Sequence, residues 1–128
     1  AVKGYLEDLR LVLLAPAFGV YDTLSSQIGD SELEEWKKAG VKTFLPLGWE
    51  EDVPIPWSFM EDARRLGWPE VNHRTVILHG LRDDVVPIES SRVFMRSSPF
   101  VEIVEVDDEH RLAESLELLR DVVSMVVD

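Results

Sequence analysis

A chain of 128 residues, 45% of them hydrophobic, has the size and composition of one small globular domain and not of a disordered segment. Its 25 acidic against 13 basic residues give a net charge of −12, a balance that repels phosphate backbones and anionic membrane surfaces, so nucleic acid and membrane are not expected partners. The absence of cysteine excludes disulfides, thiolate metal sites and a cysteine nucleophile; with no basic-then-apolar leader and no apolar run of membrane-spanning length, a cytoplasmic setting is expected.

Val2, Tyr5, Leu6 and Leu9 fall near one helical face, so the first nine residues read as the end of a helix. A start in mid-helix without a capping residue points to a longer natural chain. Leu11-Val-Leu-Leu-Ala15 is a short, wholly apolar run that predicts a buried strand, ended by Pro16. From Val20 to about Asn72 the pattern changes. Ser31-x-x-Glu34 is a capping box for a helix through Leu33, Trp36 and Lys37, with Gly40 as its stop. Thr43 to Leu47 and Val53 to Pro56 flank the turn-like Gly48–Glu51 and predict a small hairpin, kept out of a central sheet by Pro46, Pro54 and Pro56. Ser58 is expected to cap a helix through Phe59, Ala63 and Leu66, stopped by Gly67. All four tryptophans, Trp36, Trp49, Trp57 and Trp68, fall in this 20–72 segment. They would either pack it together or offer an apolar wall to a ligand.

Thr75 to Pro87 carries the densest signal. Val76-Ile77-Leu78 suits a strand covered on both faces of a parallel sheet, Gly80 allows a sharp turn, and Asp83 and Asp84 follow. Pro87 fits the first turn of a helix from about Ile88 to Phe94, with Val93 and Phe94 inward. In open α/β sheets, groups just past the carboxyl ends of strands are where ligands bind. A strand from Phe100 to Val106 alternates with Glu102 and Glu105 and is expected near an edge. His110 follows the acidic run Asp107-Asp108-Glu109. Leu116, Leu119, Val123, Val126 and Val127 then make the apolar stripe of a closing helix from Leu112 to about Val127. The expected fold is therefore α/β: a parallel sheet of at least three strands flanked by helices, one domain over 1–128 with a helical insertion over 20–72.

His-Gly-x-x-Asp-x-Val-Val-Pro after an apolar strand resembles the acid-bearing turn of the α/β-hydrolase superfamily. Val101–Val106 followed by His110 resembles that family's last strand and histidine loop. The order, acid before base, is the family's. Leu-Val-Leu-Leu-Ala-Pro-Ala-Phe-Gly, residues 11–19, is similar to the strand that follows the nucleophile helix in small bacterial esterases. The resemblance implies Asp83 as triad acid, His110 as general base, the 20–72 segment as a cap, and a small-molecule ester as substrate. No Gly-x-Ser-x-Gly nucleophile elbow occurs anywhere, so the chain resembles the C-terminal portion of such an enzyme.

On residue type alone other assignments stay open. Asp84 competes with Asp83, and His110 with its acidic neighbours also reads as a solvated loop. Ser25, Ser26, Ser90, Ser91, Ser97 and Ser98 lack a strand-turn-helix context for a nucleophile. His79, at the strand end, is expected to be structural and His73 a plain loop residue. The three histidines are not at metal-ligand spacing and no glycine-rich phosphate loop is present, so no metal or organic cofactor is expected. A second functional reading is a non-catalytic α/β module that self-associates, or pairs with a missing N-terminal half, through an open sheet edge.

Overall fold

A computed structural model describes residues 9–46 and 48–127. The helix expected over residues 1–9 lies outside them except for Leu9, an exposed residue in irregular backbone. In chain order the elements are β1 (Leu11–Leu14), α1 (Val20–Ile28), α2 (Asp30–Ala39), β2 (Val41–Phe44), β3 (Val53–Pro56), α3 (Ser58–Leu66), β4 (Thr75–Gly80), α4 (Ile88–Ser97), β5 (Val101–Val106), a 3₁₀ turn (Leu116–Leu118) and α5 (Leu119–Val127). They divide into two compact units. One is drawn from the described residues of Ala1–Phe18 and Trp68–Asp128, the other is Gly19–Gly67.

The first unit is a parallel sheet in the order β1-β4-β5 with flanking helices. β4 is central and buried along its whole length, as an unbroken apolar run requires. Because successive side chains alternate faces, Val76 and Leu78 enter one cluster with Ala15, Leu112, Val122 and Val126, while Ile77 enters another with Phe94 and Val101. Each fully buried side chain of this kind contributes roughly 1.5–3 kcal/mol. The same parity sends Thr75 and His79 to the Ile77 face, where α4 packs.

Several expectations need correction. β1 is half-buried and Leu14 exposed, because among the described residues this strand pairs only with β4. Val93 is exposed; only Phe94 of that pair turns inward. The closing helix is interrupted at its start, since Leu112 adopts φ 53 and a 3₁₀ turn precedes α5. Its buried residues are Val122 and Val126, four apart, whereas Val123 and Val127 face outward. Pro87 stands just before α4, not within its first turn.

The second unit is built around Trp36. Its ring meets Phe44 and Trp57 edge-to-face with centroids 5.3 and 5.4 Å apart, and its Nε1–H donates to the Ile55 carbonyl at 3.0 Å. That bond ties α2 to the antiparallel β2–β3 hairpin, whose second arm is Val53–Pro56 as expected and whose first is Val41–Phe44 instead of Thr43 to Leu47. Gly40 ends α2 with φ 79, a left-handed conformation suited to glycine, and its N–H reaches the Trp36 carbonyl. Neither predicted serine cap forms. α2 begins at Asp30 after Gly29, which places Ser31 inside the first turn, and Ser58 is itself the first residue of α3. Trp49 is exposed, and Trp68 belongs to the first unit, where it stacks with Phe18. Among the described residues no helix is long and apolar enough to cross a membrane.

The end of β4 is the tightest point of the sheet unit. A Cβ added to Gly80 would overlap the Asp108 carbonyl and stand 3.0 Å from the Glu109 carbonyl oxygen, so glycine is required by the close approach of two backbones. Gly80→Ala is expected to destabilise the chain by about 1–3 kcal/mol, the usual cost of overpacking. Urea denaturation measures it, and an unchanged midpoint would show that the two loops separate freely.

Candidate active site

β4 and β5 run parallel, so the loops leaving their carboxyl ends emerge side by side. The first carries Asp83, the second His110. Backbone bonds join them: Leu81 N–H donates to the Val106 carbonyl at 2.7 Å and Arg82 N–H to the Asp108 carbonyl at 3.0 Å. Within this frame His110 Nδ1 lies 2.9 Å from Asp83 Oδ2. A carboxylate only accepts, so Nδ1 carries the proton and, in the neutral ring, Nε2 bears the lone pair.

The two side chains differ in exposure. The Asp83 carboxylate is wholly buried, whereas the His110 side chain keeps 35% of its surface. Asp84, the alternative acid, is exposed and hydrogen-bonded to neither ring. Asp83 Oδ1 accepts from the Val85 and Val86 amides at 3.0 and 2.8 Å. Burial pushes its carboxyl pKa up, but the Val86 amide, the His110 ring and the Val85 amide outweigh it and hold the group below the ordinary aspartate value.

Asp108 lies in the acidic run for which a solvated turn was the alternative reading, and it is buried. Its Oδ1 accepts from the Glu109 amide at 2.7 Å, and its Oδ2 from the Glu114 amide at 3.0 Å and the Ser115 hydroxyl at 2.7 Å. Burial raises its pKa, and these three donors, with Arg82 nearby, bring it below the ordinary value. The side chain therefore closes the loop that displays His110. Leu112, two residues beyond the histidine, is buried in the Val76–Leu78 cluster at φ 53, and Ala15 at the end of β1 is buried there at φ 43. Such non-glycine left-handed residues cost of order 1–3 kcal/mol and persist where packing over-determines them. The Asp108 signal was present in outline: an aspartate just past a strand, able to bond its own following backbone. Nothing in the spacing announced that Ser115 would complete it.

Arg82 spans the two loops from outside. Its Nε donates to Asp107 at 2.8 Å, and its terminal nitrogens lie 3.3 Å from Glu109 and 3.4 Å from Glu114. A cavity of about 380 Å³ in this unit is lined by Val71, Asn72, Phe94, Ser98 and Phe100 among others. Asn72 and Phe100 precede β4 and β5, so this cavity lies at the amino ends of the strands, away from the Asp83–His110 pair. Among the described residues no group of three or more His, Asp or Glu side chains is placed to hold a metal ion.

A model of an uncharacterised protein family, UPF0227, matches residues 4–127. No curated protein matches. Among solved structures, a protein of Agrobacterium vitis S4 classed by inference as a hydrolase aligns with TM-score 0.76 and 23% identity, over 93% of this chain and 49% of that one. Mouse alpha/beta hydrolase domain-containing protein 10 aligns with TM-score 0.71 and 23% identity, over 91% and 50%. Est1E of Butyrivibrio proteoclasticus, solved with ferulic acid bound, aligns with TM-score 0.61 and 18% identity, over 92% and 48%. The chain thus spans about half the length of the solved structures it matches. At these identities the likeness shows the fold, which is α/β-hydrolase-like as the sequence resemblance implied.

A depressed folded-state pKa means that Asp83 adds stability above the unfolded aspartate value of about 3.9, and that this contribution is lost as pH falls through the lower folded value. Wild type should therefore exceed Asp83→Asn in stability by a constant margin near neutrality, and the margin should shrink below about pH 4. Urea denaturation across a pH series tests this, and parallel stability curves would show that Asp83 is not held ionised by the fold.

Proposed function

The chain belongs to the UPF0227 family, and we propose that it carries the acid and base of a serine-type carboxylic ester hydrolase. The observation that supports this reading is the bond from half-exposed His110 to buried, ionised Asp83. Asp83 fixes the ring with Nε2 as base and stabilises the positive charge that forms when Nε2 takes a proton. The nucleophile is a serine hydroxyl outside these 128 residues, since no serine here stands on a strand-to-helix elbow.

In this scheme the serine oxygen attacks the ester carbonyl carbon while its proton passes to His110 Nε2. The tetrahedral intermediate collapses, the alcohol leaves with that proton, and an acyl-enzyme remains. Water then attacks the acyl carbon with His110 again as base, releasing the acid and restoring the serine. The chemistry needs no metal or organic cofactor. Exposure of Leu14 on β1, which pairs only with β4 among the described residues, supports pairing of its free edge with the nucleophile-bearing strands or with a second copy of this chain.

Hydrolysis of a p-nitrophenyl ester by a polypeptide that joins this chain to its nucleophile segment is the direct test. His110→Ala and Asp83→Asn should each lower kcat/KM by about 10⁴-fold, with folding intact by circular dichroism. Undiminished turnover in His110→Ala would overturn the assignment. Treated alone with a fluorophosphonate, the 128-residue chain should gain no adduct by intact mass. A single labelled serine, lost in His110→Ala, would instead place the nucleophile within it.

A further inference from the structure

His79 stands in a strand whose neighbours are Val76, Ile77 and Leu78, and its ring has no exposed surface. An imidazole in such a place is tolerated only if both nitrogens are paired. They are. Nδ1 lies 2.7 Å from the Ser91 hydroxyl on α4, and Nε2 lies 2.9 Å from the Val86 carbonyl and 3.2 Å from Asp83 Oδ2. The Val86 carbonyl can only accept, so Nε2 carries a proton; in the neutral ring Nδ1 then accepts from Ser91. The tautomer is set by the backbone, and its N–H faces the carboxylate that serves His110.

We infer that His79 is a positioning residue for the acid–base pair: its Nε2–H is bonded to the carbonyl of Val86, the residue whose amide holds Asp83 Oδ1, and stands 3.2 Å from the Asp83 oxygen that receives the His110 proton. The inference rests on the reading of Asp83 and His110 as acid and base. Asp83 has three hydrogen-bond donors, the Val85 and Val86 amides on Oδ1 and His110 on Oδ2, and the His79 Nε2–H stands beside them, 3.2 Å from Oδ2. Two donors on Oδ1 alone leave Oδ2 free to follow its half-exposed partner. The buried strand fixes the turn through Val86, whose carbonyl accepts from His79 and whose amide holds Oδ1, so the carboxylate stays in place and His110 must come to it. The ring is itself braced by Ser91, so the chain of restraint runs from α4 through Ser91, His79 and Val86 to Asp83.

A role confined to packing β4 on α4 would need only the Ser91 contact, and two near-isosteric substitutions separate it from a role through Val86. Glutamine places its amide near the Nε2 position and keeps a donor for the Val86 carbonyl. Asparagine places its amide near the Nδ1 position and keeps only the Ser91 contact. The readout is exchange with water of the His110 Nδ1 proton, followed by NMR on histidine-¹⁵N-labelled protein and assigned by its loss in His110→Ala. His79→Asn should speed exchange about tenfold, the equivalent of one hydrogen bond, and His79→Gln should restore the wild-type rate. Slow exchange in wild type and equally slow exchange in His79→Asn would overturn the role of His79. A wild-type protein with no protected Nδ1 proton would instead overturn the acid–base reading on which it rests. Should neither variant fold, the ¹⁵N shifts of wild-type His79 decide: a protonated Nε2 supports the inference, and a protonated Nδ1 with bare Nε2 overturns it.

Discussion

The carboxylate of Asp83 is the point on which the rest of the sheet unit converges. A buried ionised group is sustained only when its acceptor sites are filled, because desolvation otherwise favours the neutral form. Here the filling groups are the turn's own amides and the histidine of the loop beyond β5, while the histidine at the end of β4 braces the turn through the Val86 carbonyl. Each donor depends on a different part of the fold. The amides need the turn between β4 and α4, the β4 histidine needs α4 in place, and His110 needs the second loop pressed against Gly80. Correct packing of the unit and correct ionisation of one aspartate are therefore the same condition stated twice.

That convergence explains what the sequence made legible. The Val76-Ile77-Leu78 run, the glycine and the two aspartates encode a strand, a turn and a carboxylate within one short stretch, so local pattern suffices. Choosing Asp83 over Asp84 needed the resemblance, because adjacent carboxylates are equivalent to periodicity; in space one is buried and the other exposed. Asp108 and Ser115 stayed hidden because their partnership forms inside a loop without repeat or period. Val93, Val123 and Val127 were misplaced for a different reason. Apolar residues recur at three and four, and pattern alone does not say which of two adjacent apolar side chains the neighbouring strand will cover. β1 looked buried because its composition is that of an interior strand, yet its burial depends on neighbours that composition does not name.

The loop bearing His110 is held by two kinds of interaction, and their magnitudes are unequal. Arg82 reaches three carboxylates, but its side chain is 48% exposed and its partners more so. Exposed ion pairs of this kind contribute little to stability and weaken with salt. Asp108 is buried with three donors, and removing its carboxylate would leave the buried Ser115 hydroxyl and two part-buried amides without their acceptor. A buried hydroxyl left without a partner costs about 1–3 kcal/mol. The histidine is thus presented by a buried aspartate that never touches it, and the arginine outside neutralises part of the acidic rim more than it fastens the loop. Two aspartates separated by a strand consequently have distinct roles at one ring. Asp83 sets the tautomer of His110, and Asp108 sets where that ring stands.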